Sequence, residues 1–164
     1  MHLYGEAGAM TRIEKQIVVA RPQEDVLRFT RDWRTIPRYL DYIQEVKPLT
    51  ENTEGKGARY LVHLTYLGRK MTSEWETIEY DERNGWTFTA PLMGIVARKY
   101  WRFEPVGEST RVTFALEYDP KPPVVAPLAD ALLLRRKWDQ IYERGMHNLK
   151  RIIEAEPTKE TTAV

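Results

Sequence analysis

The chain has 164 residues, and its 25 basic side chains nearly balance 24 acidic ones, so no net field favours nucleic acid or another polyanion. Cysteine is absent, which excludes disulfides and thiolate chemistry and fits a reducing, cytoplasmic setting. A chain of this length folds most simply as one domain and buries roughly 70% of its unfolded surface, so a full core forms without covalent staples.

Residues 1–11 read as a flexible leader, since they lack the basic start and continuous apolar stretch of a secretory signal; Met10 is an alternative start. Residues 12–20 alternate weakly and end in Ile17-Val18-Val19, which predicts a first strand. Pro22 then occupies a favoured first helical position. Glu24 and Asp25 place negative charge in the first turn, and Val26, Leu27 and Phe29 follow at helical spacing, so a short helix runs to about Thr30. Asp32 caps a second helical segment over 33–40, which Pro37 interrupts or begins.

Strand-like runs follow at 42–49, 58–66, 70–80, 86–90, 96–104 and 111–118, each bounded by Gly, Pro, Asn or Asp. In the last, Val112, Phe114, Leu116 and Tyr118 alternate with Arg111, Thr113, Ala115 and Glu117, so one face of the sheet is dry. Residues 127–154 predict a long helix whose stripe of Leu128, Leu132, Trp138, Ile141, Tyr142, Leu149, Ile152 and Ile153 faces the sheet; Arg135 and Gly145 interrupt it. The longest apolar run, 124–134, is broken by Pro127 and Asp130 and falls short of the ~20 residues of a membrane span. Residues 155–164, rich in Thr and Glu, predict a disordered tail, which leaves a single domain over 12–154.

The turns alternate in character. Segments 51–57, 81–85 and 106–110 are polar, whereas Leu67-Gly68, Pro91 to Ile95 and Pro122 to Leu128 are apolar. In an antiparallel meander alternate turns share one edge. One edge is therefore wet and the other greasy, and Leu67, Leu92, Met93, Val124, Val125 and Pro127 on the greasy edge are a candidate mouth for an apolar ligand, a membrane or a partner.

The order strand, two short helices, six strands and a long C-terminal helix resembles the helix-grip fold of the START-like (SRPBCC) superfamily. The opening "IEKQIVVARPQEDVLRFTRD", residues 13–32, is similar to that of its polyketide cyclase and coenzyme Q-binding branch, with one residue inserted in Ala20-Arg21-Pro22. Trp33, Pro37, Tyr39, Gly57 and the run Ser109-Thr110-Arg111-Val112 extend the resemblance over residues 12–154. It implies an α+β fold in which a curved antiparallel sheet of about seven strands wraps the C-terminal helix around a cavity. It does not choose among lipid carriers, quinone binders and cyclases, which share the scaffold.

The inward phase, read from Phe114, Leu116 and Tyr118, extends by pairing to Trp101 and Phe103, then to Trp86 and Phe88, then to Tyr60, Val62, Leu64, Tyr66 and Trp75. With Trp138, Tyr142 and Gly145 from the helix these are the candidate ligand-binding residues. Such walls suit a flat, mostly apolar molecule carrying a few oxygens; the alternative is that the same rings simply fill the core. Gly145 costs about 1 kcal/mol relative to Ala within a helix. It leaves room either for a ligand or for a close strand. Arg135 either turns inward to a ligand oxygen or joins Arg136 and Lys137 on a solvated face. His63 is a candidate acid or base, or a satisfied structural residue.

His2, His63 and His147 have no metal-binding spacing, neither serine lies in a nucleophile elbow, and Gly55-Lys56-Gly57 is too short to cradle phosphate, so no metal or other cofactor is implied. Three functions remain: a binder or carrier of a lipid, isoprenoid quinone or polycyclic aromatic; a cyclase or dehydratase on polyketide-like substrates, with His63, Tyr66 or Tyr118 moving protons; and a module whose apolar edge makes transient membrane or protein contacts.

Overall fold

The computed structural model describes residues 10–119 and 128–157, with the backbone alone for 128–131. The expected leader up to Ala9, the segment holding Val124, Val125 and Pro127, the side chain of Leu128 and the tail from Thr158 lie outside the described residues.

Strand β1 (Thr11–Val19) leads into helix α1 (Gln23–Arg31), a 3-10 turn (Trp33–Thr35) and helix α2 (Ile36–Tyr39). Six strands follow: β2 (Ile43–Pro48), β3 (Arg59–Tyr66), β4 (Arg69–Asp81), β5 (Gly85–Leu92), β6 (Ile95–Val106) and β7 (Ser109–Tyr118); helix α3 (Leu128–Ala155) closes the chain. The strands form one curved antiparallel sheet in the order β1-β7-β6-β5-β4-β3-β2, so the first strand returns to pair with the last. This is the helix-grip architecture, with α3 against the concave face.

Local chemistry accounts for the helical pieces. Pro22, in extended conformation, is the cap residue of α1 rather than its first residue, and the acidic Glu24 and Asp25 meet the positive end of the helix dipole. The Asp32 side chain accepts the Arg34 backbone N–H at 3.0 Å and so starts the 3-10 turn, while Pro37 sits in the first turn of α2, where its missing N–H costs nothing.

On α3, Trp138, Ile141, Tyr142, Met146, Leu149 and Ile153 are buried. The flank of the helix beside this stripe is tied to the sheet edge through Lys15, whose ammonium lies 3.0 Å from Asp139 and 2.9 Å from Glu143. Leu132, expected in the buried stripe, is exposed instead, because the helix phase set by Trp138 brings Leu134 inward one turn earlier. Gly145 faces the end of α2 rather than a strand. A Cβ there would lie 2.6 Å from Leu40 Cδ2 and 3.4 Å from the Tyr39 carbonyl, so the glycine lets the end of α2 nest on α3.

Register explains which side chains reach the interior. Phe114 on β7 lies opposite Trp101, which in turn lies opposite Trp86 on β5. An irregularity between Thr77 and Glu79 on β4 inserts a residue and reverses the phase, so the inward set Ser73, Trp75, Thr77 continues as Tyr80 rather than Glu79. Gly85 opens β5 with φ +134°, and a Cβ there would sit 1.9 Å from the Trp101 carbonyl oxygen. Gly85→Ala should therefore lower unfolding free energy by about 2–5 kcal/mol through overpacking and left-handed strain. Urea unfolding checks this; a loss below about 1 kcal/mol would contradict so close an approach of β5 and β6.

Candidate functional site

The two-residue turns Leu67-Gly68 and Met93-Gly94 fall on the same edge. Both residues of each turn have positive φ, including Leu67 at 51° and Met93 at 52°. Hairpins of this kind ordinarily place Asn or Gly at the first position, and a bulky residue there costs roughly 1 kcal/mol. Despite that cost, the two side chains are 59% and 61% exposed. Leu132 and Leu133, on the first turns of α3, are as exposed, so large apolar groups concentrate where burial does not explain them.

Behind this rim lies a cavity of about 370 Å³ between the sheet and α3. Leu67, Leu92, Met93 and Ile95 border its mouth side. Leu64, Tyr66, Ala90, Ala97, Leu116, Tyr118, Leu134 and Trp138 line its wall. A second, smaller hollow of about 60 Å³ lies toward the polar turns, bordered by Thr53, Glu54, Tyr60, Tyr80, Trp86 and Trp101. A ring group partitions them. Phe114 stacks on Tyr142 at 4.2 Å and Trp75 leans on Phe88 at 4.9 Å; all four border the small hollow, and Trp75 borders the large one as well.

At this partition sits Lys99, which the sequence reading missed. It lies opposite Phe88 on β5 and Leu116 on β7, and only 4% of it is exposed. Its Nζ donates to the Tyr42 hydroxyl at 3.1 Å, and Tyr42 in turn shares a 2.9 Å hydrogen bond with the Tyr142 hydroxyl. Trp75, Tyr142, Trp138, Tyr42 and Phe88 surround it, with centroids 4.7 to 6.0 Å away. Among the described residues no carboxylate pairs with it. Burial alone lowers its pKa from 10.5 to about 7. Burial likewise raises the hydroxyl pKa values of Tyr42 and Tyr142 well above their ordinary value and pushes Tyr66 up to about 12, so these phenols stay protonated at neutral pH.

Residues 10–154 match the model of the family described as polyketide cyclase / dehydrase and lipid transport. The chain belongs to that family. No curated protein matches the sequence significantly. Among solved structures, a protein of Thermus thermophilus superposes with TM-score 0.72 at 22% identity, covering 90% of this chain and 100% of the other. The di-domain ARO/CYC StfQ of the steffimycin biosynthetic pathway gives TM-score 0.73 at 14% identity, over 94% of this chain and 53% of StfQ, which is thus about twice as long. Ara h 8.0201 gives 0.66 at 12% identity, over 90% and 100%. At these identities the likeness shows a shared fold.

Within this polyketide cyclase and lipid transport fold, the expected ligand residues divide. Leu64, Tyr66, Trp75, Leu116, Tyr118 and Trp138 border the large cavity; Tyr60, Trp86, Phe88, Trp101, Phe114 and Tyr142 border the small one. Val62 and Phe103 are buried away from both, as wall packing. His63 is misplaced as an acid or base for this cavity: it alternates with Val62 and Leu64 and so lies on the outer phase, opposite Thr72. Arg135, Arg136 and Lys137 are all exposed, a solvated face. Arg98 and Tyr100 also point outward; Tyr100 donates to Glu117 at 2.8 Å. Among the described residues no cluster of His, Cys, Asp and Glu could hold a metal ion, and no helix is long and apolar enough to cross a membrane.

The Lys99 pKa has a consequence for stability. Because the folded value, about 7, lies below the unfolded 10.5, the unfolded state binds more protons between these limits, and folding strengthens as pH rises through this window. Lys99→Met should therefore be more stable than the parent by a few kcal/mol near pH 6, the advantage shrinking toward pH 10. Paired denaturation curves check this, since the other titrations cancel in the difference. A constant difference across the range would contradict the assignment.

Proposed function

We propose that the chain binds and carries a small hydrophobic molecule, a lipid, isoprenoid quinone or polycyclic aromatic, in the cavity between the sheet and α3. The observation that carries this reading is the pairing of an apolar-walled space of about 370 Å³ with a rim of exposed Leu67 and Met93. Leu92 and Ile95 continue the rim into the cavity, giving an apolar guest a continuous route between water and wall. The family description, which names lipid transport, supports a ligand-binding role. The same rim suits transient contact with a membrane or protein that supplies or receives the guest.

A second reading, a cyclase or dehydratase on polyketide-like substrates, rests on Lys99 with Tyr42, joined by Tyr66 and Tyr118 on the cavity wall. An amine titrating at about 7 can give or take a proton under neutral conditions. The family description names this chemistry, and StfQ is an ARO/CYC of a biosynthetic pathway.

Filling the cavity tests the first reading. Ala90 is 4% exposed and faces Ala97 across β5 and β6, both on the wall. Ala90→Trp should weaken binding of the neutral fluorophore N-phenyl-1-naphthylamine at least about tenfold, the equivalent of roughly 1.4 kcal/mol. Fluorescence titration reads this, with circular dichroism confirming an intact fold. Unchanged affinity in a folded variant would place the probe elsewhere and remove the support for carriage.

A further inference from the structure

Among the described residues, Lys99 is the charged residue of an otherwise uncharged cavity lining. A leucine or methionine at this position on β6 would pack among the same rings without desolvating an amine, which makes Lys99 costly to the fold on its own account. The groups facing Nζ come from every element around it. Tyr42 arrives from the segment before β2, Trp75 from β4, Phe88 from β5, and Trp138 and Tyr142 from α3. Leu116 is its neighbour on β7. Among the described residues the titratable ones are the two phenols, and burial keeps both neutral. An ammonium has three hydrogens to donate, and among the described residues Tyr42 is its one hydrogen-bond acceptor.

We propose that Lys99 anchors the acidic end of the guest, so that the ligand is an apolar monocarboxylic acid lying with its carboxylate at Nζ and its hydrocarbon body along the wall toward Leu67 and Met93. This rests on the carrier reading above and narrows its ligand class. A carboxylate supplies the missing counter-charge and forms a charge-assisted hydrogen bond where water does not compete. One cation matches one anionic charge; a phosphate dianion would bring a second charge that nothing on the described wall offsets. The partition of rings behind Lys99 stops the guest, and the apolar mouth leaves its other end at the rim.

Binding of this kind is coupled to protonation. The acid meets Lys99 in its charged form, which in the ligand-free protein falls away above about pH 7, so affinity for the acid drops up to tenfold per pH unit above that point. A neutral alcohol of the same shape lacks this dependence.

The test compares pyrene-1-butyric acid with 1-pyrenebutanol by fluorescence titration at pH 6 and pH 9, on the parent chain and on Lys99→Met. The expected result at pH 6 is a preference for the acid of about tenfold or more in the parent, the range of a hydrogen bond to a charged group. That preference should vanish at pH 9 and be absent in Lys99→Met at both values. The ratio of affinities within each protein cancels any general change in the cavity. Equal affinities in the parent at pH 6, or a preference for the acid that survives in Lys99→Met, would overturn the anchor while leaving the carrier reading intact. Failure of both probes to bind the parent would overturn both.

Discussion

An amine held away from water by rings is the constraint around which the interior is organised. An ammonium stripped of water normally demands a carboxylate. Lys99 has instead one phenol oxygen and the faces of aromatic side chains, of which Trp75 is nearest at 4.7 Å. Each such contact contributes on the order of 1 kcal/mol, and several around one cation do not add, so they soften the desolvation of the charge without cancelling it. The depressed pKa expresses the remainder. The Tyr42 hydroxyl accepts from Lys99 and shares a hydrogen bond with the Tyr142 hydroxyl, so each buried phenol has a polar partner.

The two ends of the molecule differ in how they are tied. At the polar end, Gln23 donates to the carbonyls of Arg83 and Phe103, Arg31 to that of Glu82, and Tyr60 to that of Thr53, so α1 and the long β2–β3 loop are stitched over the sheet. Side chains there fill the space, and the hollow is small. At the other end, small residues such as Ala90 and Ala97 face the helix, and the turns present Leu67 and Met93 to solvent rather than polar caps. Space and access therefore coincide, and the backbone strain of two left-handed turns is borne where contact with an apolar guest or surface would offset it.

Most of the architecture was legible from residue order alone, because alternation in β7 and turn punctuation between strands report directly on a meander, and Pro22, Asp32 and Pro37 mark the helical pieces. The shared edge of two apolar turns was legible for the same reason: turn composition and strand parity suffice to place Leu67 and Met93 together. What stayed hidden has physical causes. Lys99 lies on the same phase as Trp101 and Phe103, yet between Arg98 and Tyr100 it looks like part of a solvated strand face. Applying parity without regard to side-chain polarity would have found it. Tyr80 required the β4 irregularity, which flips the inward set and leaves no clear mark in composition. Gly145 answers to Leu40, a contact between elements more than a hundred residues apart, and His63 has apolar neighbours in sequence yet occupies the outer face.

The protonation equilibrium of Lys99 in the ligand-free protein speaks most directly to this account. Selective labelling of lysine at carbon ε, followed by an NMR titration from pH 5 to pH 11, reads it without reference to any ligand. The account predicts one lysine with a midpoint near 7, lost in Lys99→Met. A Lys99 resonance titrating near 10.5 would contradict it, since an amine so little perturbed would be hydrated or ion-paired and would leave no unmet charge for a guest to answer.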